Sequence, residues 1–235
     1  VSQTAALPAH AAVNLARTMS ACAAALVALA LVDLRQQYQV WQAGQMLERQ
    51  SSAIARGEPA AAPPLPRIAP GALPPRAEVI DALILARAAA ADRSPQGRVL
   101  LIGQARSMID WAMAARPDWG DAQLVSAYIG LVRGSGQPDT AILRDFAASY
   151  RNAGFLRDAA QWRSTTGFIL WPQLDEPSRA QVVDEAVLLA RLAPEQRQPI
   201  FAAARASPAY LDFGRVWMEM RRGDADMMPG DRPTP

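Results

Sequence analysis

The chain has 235 residues, 51% hydrophobic and 6% aromatic, and a formal net charge of only +2. Charge so nearly balanced leaves no nucleic-acid footprint. A single His (His10, near the N-terminus) and a single Cys (Cys22, inside an apolar run) exclude Ser-His and Cys-His nucleophile pairs, an intrachain disulfide and most metal chemistry. No cofactor or metal site is expected, and no phosphate-binding or dinucleotide glycine motif occurs: Gly134-Ser135-Gly136 reads as a turn.

All 24 basic residues are arginine. Arg-for-Lys usage in an Ala-rich chain points to a GC-rich bacterial genome. Alanine in quantity with few aromatics favours helices over sheets. The expected fold class is all-α: an N-terminal transmembrane helix, a Pro-rich linker and a domain of stacked helical hairpins.

In chain order, residues 1–12 read as a disordered tail. A transmembrane and juxtamembrane helix is expected over 13–56. Its uncharged part, Thr18 to Val32, is 15 residues long, short of the roughly 20 that cross a bilayer core. Snorkelling of Arg17 to the interface supplies the missing length. Leu26, Val27, Leu29, Leu31 and Val32 carry the insertion. Tyr38 and Trp41, just past the run, have the amphipathic rings of interfacial anchors. A cleaved signal peptide is the rival, because Ala28-Leu29-Ala30 fits a cleavage pattern. It lacks the polar break that normally precedes cleavage. Cys22 precedes most of the apolar residues, and Met19-Ser20-Ala21 is a poor lipidation signal. Either reading sends the remainder across the membrane. Arg17 places the N-terminus inside, so the expected location is a bacterial inner membrane, spanned once, with a periplasmic C-terminal domain.

Residues 57–76 hold seven Pro in 20 positions. Such a segment cannot be helical and reads as a semi-rigid linker reaching roughly 60 Å at polyproline II rise. From 77 to 222 the text is helical, punctuated by Pro and Gly. Helices are expected at 77–91, 96–115, 119–133, 138–151, 156–170, 177–192, 195–206 and 208–222. Apolar stripes at helical spacing support them: Ile102, Ala105, Ile109, Ala112 and Met113; Ala159, Trp162, Thr166 and Ile169; Val182, Ala186, Leu189 and Ala190; Phe213, Trp217 and Met220. Ser207-Pro208 reads as a cap with Pro at the first helical position. Residues 223–235 read as a disordered tail.

Two groups of side chains are candidates for function. Asp175-Glu176 and Asp184-Glu185 are the carboxylates that a glycan-cleaving enzyme would need. Structural roles suit them better: the first pair caps a helix before Pro177, and the second falls on a solvent face opposite Val182 and Ala186. The stretch from Arg144 to Trp171 interleaves arginine with aromatics. Arg144, Arg151, Arg157, Arg163 and Trp171 are its candidate interaction residues, since aromatic faces stack on sugars and guanidinium forks bind acidic groups. The competing reading puts the aromatics in a core and the arginines on a solvated face.

Ala105, Ile109, Ala112 and Pro117, followed by Ala122, have the spacing of the second helix of a tetratricopeptide repeat, its closing proline and the opening of the next repeat. The segment from Ala105 to Ala122 resembles that repeat, although Asp92, Ser94 and Pro95 break the pattern of the helix before it. Downstream, Ser149-Tyr150-Arg151, Trp162-Arg163 and Leu170-Trp171-Pro172-Gln173-Leu174 resemble small single-pass proteins of GC-rich bacteria encoded beside polysaccharide polymerases and ligases. The second resemblance implies a non-enzymatic membrane scaffold in envelope polysaccharide assembly or export, with integral membrane partners such as a polymerase or exporter. The alternative is an accessory subunit of a membrane-embedded energy-transducing complex.

Overall fold

A computed structural model describes residues 9–58, 69–134 and 138–227. Among these, every regular element is helical. Half of the Pro-rich linker, residues 59–68, and the outer parts of both expected tails lie outside the described residues. Helix α1 begins at Ala9, inside the segment expected to be a disordered tail, and runs unbroken for 47 residues to Ala55. No Pro and only Gly44 interrupts this stretch, so nothing stops the helix between its apolar and polar halves. It ends in a Schellman motif. Gly57 turns left-handed with φ +76°, its N–H reaches Ile54 O at 2.9 Å, and the Glu58 N–H reaches Ala53 O at 3.0 Å.

Within Thr18–Ala55 an 18-residue window has a mean hydropathy of 1.6, and none of that window is buried. By length and composition this is a helix that can cross a membrane. Leu34, Tyr38 and Trp41 are exposed on one face, and the two rings stack at 5.8 Å. The other face packs. Ala43 is 2% exposed and Gln50 7%, and Gln50 Nε2 donates to Ile84 O of the next helix at 3.0 Å.

That next helix, α2 (Pro75–Ala91), begins with Pro at its first position and is buried at Ala77, Ala82, Ala86 and Ala89. Small residues let α1, α3 (Pro95–Ala115) and α4 (Gly120–Arg133) all approach it. The Pro-rich connection therefore joins two helices that pack on each other. Its C-terminal flank is tied down: Gly71 N–H and Leu73 N–H donate to Glu78 Oε1 at 2.9 and 3.3 Å. The expectation of a linker with the helical domain wholly beyond it has to be revised, because the end of α1 contributes to the core. Trypsin cleavage at exposed Arg56 should leave the α1 fragment bound to the remainder on a sizing column in mild detergent. Elution of the two pieces apart would show that the α1–α2 seam carries little.

The chain continues through α5 (Thr140–Asn152), α6 (Ala160–Leu170), α7 (Glu176–Leu192), α8 (Arg197–Arg205) and α9 (Tyr210–Met227). Short side chains start several of them. Ser94 Oγ accepts from Gly97 N–H at 3.2 Å, Asp139 Oδ1 from Ile142 N–H at 2.8 Å and Asp175 Oδ1 from Ser178 N–H at 3.0 Å. Two apolar clusters result. One joins α2, α3 and α4 through Leu85, Ile109 and Ile129. The other joins α4 to α9 through Phe146, Phe168, Val182, Ile200 and Phe213. Helix α4 serves both, with Val125 on one side and Leu124 on the other.

Two local departures have physical causes. Helix α9 starts at Tyr210 because Ser207 Oγ accepts from Ala209 N–H at 3.1 Å inside a preceding turn. Ile169, expected on the buried stripe of its helix, is 77% exposed. Arg163, Ser164 and Gly167 occupy the interior face of α6 in its place.

Candidate functional site

Five residues between Arg144 and Trp171 were the candidate interaction surface, and the fold separates them. Arg163 is 0% exposed and lies against Glu185, itself 2% exposed. Arg163 Nε donates to Glu185 Oε2 at 2.8 Å, and Nη2 donates to Oε1. Nη1 donates to Ser149 O and Ala153 O at 3.2 and 2.9 Å, and Nη2 to Gly154 O at 3.2 Å. All five guanidinium N–H donors are thereby used.

Glu185 is equally saturated. It accepts from Tyr150 Oη at 3.0 Å and from Leu156 N–H at 3.3 Å. Arg163 Cζ sits 3.9 Å from the Tyr150 ring centroid. Burial, followed by the neighbouring Glu185 charge, pushes the Tyr150 hydroxyl well above its usual pKa. The cluster ties the 153–159 loop to α7 and has no capacity left for a ligand.

Arg163 therefore leaves the candidate surface, and Glu185 leaves the solvent face on which it was placed beside Asp184. A charge unable to bind water must find partners inside, and these two satisfy each other. Trp171 is also buried, with Arg179 stacked at 5.6 Å and donating to its carbonyl. Arg144, Arg151 and Arg157 remain exposed, and Arg144 is paired with Asp145 at 3.1 Å. Of the carboxylates, Asp175 is occupied as a cap, and the bond from Ser178 holds it below the usual value. Among the described residues no group of three His, Cys, Asp or Glu could hold a metal ion.

A second acidic pair is buried in α2. Glu78 and Asp81 are fully and almost fully covered, and Glu78 Oε2 and Asp81 Oδ1 have no hydrogen-bond partner. Burial first, and then the Glu78 charge, pushes the Asp81 carboxyl up to about 6. A carboxyl raised on folding weakens the fold as pH rises from its unfolded value toward its folded one, and the penalty stays constant above that. Asp81→Asn should therefore stabilise the protein by roughly 1–2 kcal/mol at pH 7.5, with the gain vanishing below pH 4. Urea midpoints across that range check it, and a gain that persists at acid pH would point to a cause other than charge.

The structure also assembles a cavity that sequence reasoning missed. Ser51, Ile54 and Glu58 of the α1 end, Arg87, Ala90 and Ala91 of α2, and Tyr128 of α4 line an open space of about 520 Å³. Arg87 Nη1 donates to Ser51 Oγ at 2.8 Å. Burial works against the Arg87 charge and raises the Tyr128 hydroxyl. Tyr128 is held edge-to-face on Trp162 at 5.3 Å. Glu58 is neutralised by Arg56, with paired bonds of 2.8 and 3.0 Å. One signal for this site was present in the sequence: Arg87 is the lone charge in the ten-residue apolar run from Ala82 to Ala91. Compared with known proteins, the chain matches no family model, no curated protein and no solved structure.

Proposed function

We propose that the protein is a non-enzymatic scaffold, anchored by α1 in the bacterial inner membrane, that presents a periplasmic helical unit to membrane-protein partners in envelope polysaccharide assembly. The observation behind the anchor is the wholly exposed apolar half of a helix whose other half is built into the core. Tetratricopeptide-like stacking of the helix pairs α2–α3 and α4–α5 is part of this reading, supported by the small residues buried between them. Of the four candidate carboxylates, one of each pair is committed, Asp175 to a cap and Glu185 to a saturated ion pair, which favours interaction over catalysis. The exposed Arg151 and Arg157 form the partner-facing surface.

The chain should resist alkaline extraction from membranes. The Arg151→Glu/Arg157→Glu double variant should fold within about 0.5 kcal/mol of the parent and lower surface-polymer yield or chain length. Normal polymer from a stably expressed double variant would remove this face. Normal polymer in a deletion strain would remove the polysaccharide role, and cofactor-bearing subunits among copurified partners would establish the accessory-subunit alternative.

A further inference from the structure

The cavity between α1, α2 and α4 combines three chemical features. The first is an arginine without an acid. Arg87 is half-buried and its hydrogen bond goes to a neutral hydroxyl, Ser51 Oγ. Among the described residues no carboxylate lies within ion-pair distance of it. Glu58, the acid in the lining, has both oxygens engaged by Arg56. A guanidinium has five N–H donors in a planar fork suited to a carboxylate. Arg87 thus keeps donor capacity in a partly desolvated position, where a charge-assisted bond is stronger than in open water.

The second feature is an apolar wall. Ile54, Ala90 and Ala91 are exposed on the lining and present flat hydrocarbon. The third is a pair of hydroxyls, Ser51 Oγ and that of Tyr128. The space is an open surface depression, apolar on one side and carrying a few fixed polar groups. One negative charge, one C–H face and several hydroxyls describe a sugar acid more closely than a bare anion or an aliphatic acid. We propose that this cavity binds a carboxylate-bearing sugar unit, with Arg87 holding the carboxylate, Ser51 and Tyr128 the ring hydroxyls, and Ala90 and Ala91 the ring face. A sugar is the ring that the envelope role brings to the pocket, so the assignment rests on that reading.

The test uses the full chain in a neutral detergent without a sugar headgroup. Saturation-transfer NMR and calorimetry are run with glucuronate, glucose, inorganic phosphate and glutamate. Glucuronate should bind, glucose should not, and phosphate and glutamate should compete at least about tenfold more weakly. Arg87→Gln should weaken glucuronate at least about tenfold, the scale of a lost charge-assisted hydrogen bond. Tyr128→Phe, which keeps the ring against Trp162, should weaken it several-fold and guards against misfolding of the first variant. Arg144→Glu, on α5, which contributes no residue to the lining, should bind normally. Equal binding of glucose and glucuronate would overturn the carboxylate requirement. Phosphate or glutamate as tight as glucuronate would overturn the sugar. Unchanged binding in a folded Arg87→Gln variant would place the ligand elsewhere. A deletion strain with normal polymer would sink the polysaccharide reading while leaving the binding result standing, so the two failures are distinguishable.

Discussion

Arg163→Met should destabilise the protein by about 3–5 kcal/mol, the largest loss expected from any single charged side chain here. Removing the guanidinium leaves Glu185 buried without its cation and strips two carbonyls, those of Ala153 and Gly154, of their donors, while Ser149 O keeps the Ala153 N–H at 3.0 Å. Arg163→Lys should recover little, because three rotating donors cannot reproduce five bonds in a planar fork. Replacing both partners, as in Arg163→Met/Glu185→Leu, should regain part of the loss, since no charge is then stranded. The carbonyls would still lack donors, so the recovery stays incomplete. Urea unfolding followed by circular dichroism reads all three. A single Arg163→Met variant within 1 kcal/mol of the parent would mean that water reaches the cluster and that the pair is not a fastener.

Gly167→Val should come next, with a loss of about 3 kcal/mol and a smaller one for Gly167→Ala. At Gly167, α6 crosses α7 so closely that an added Cβ would lie 2.5 Å from Val182 Cγ2 and 2.8 Å from Cγ1. Val182 is fully buried, and a β-branched side chain in a helix has one strongly preferred rotamer. It cannot swing aside, so the helices must separate. Gly103 on α3 is the internal control. Nothing lies within 4 Å of a Cβ built there, and Gly103→Ala should stabilise by roughly 0.5–1 kcal/mol through helix propensity. Similar effects at both positions would mean that the α6–α7 crossing is looser than its geometry. Thermal melts of the variants make the comparison.

The helices were largely legible because their punctuation is local. Ser94-Pro95, Pro117 and Asp175-Glu176-Pro177 act on the residues beside them, and the observed starts at Pro95, Gly120 and Glu176 follow. The stripe Val182, Ala186, Leu189 and Ala190 was legible for the same reason, and all four are buried. What failed depended on partners far away in sequence. Glu185 stands three residues after Val182 and four before Leu189, so it shares their face; an acid there announces a buried cation 22 residues away. Its neighbour Asp184 does face solvent, which drew both onto the surface in a pairwise reading. The seam of α1 was hidden by composition, since Ala43 and Gln50 carry too little hydrophobicity to mark a buried face. The cavity needed three elements to be placed before it existed at all.

The unbroken course of α1 has a mechanical consequence. From Val32, the last uncharged residue of the run, to Ala43, the first one buried, is about 16 Å of helix at 1.5 Å per residue. That interval contains neither a proline nor a glycine, and so no joint. Thr18–Val32 and the helical unit are two ends of one stiff rod. Whatever grips the first end sets the azimuth of the second, and a partner that merely rolled the rod would swing Arg87 and its cavity around the axis without touching them.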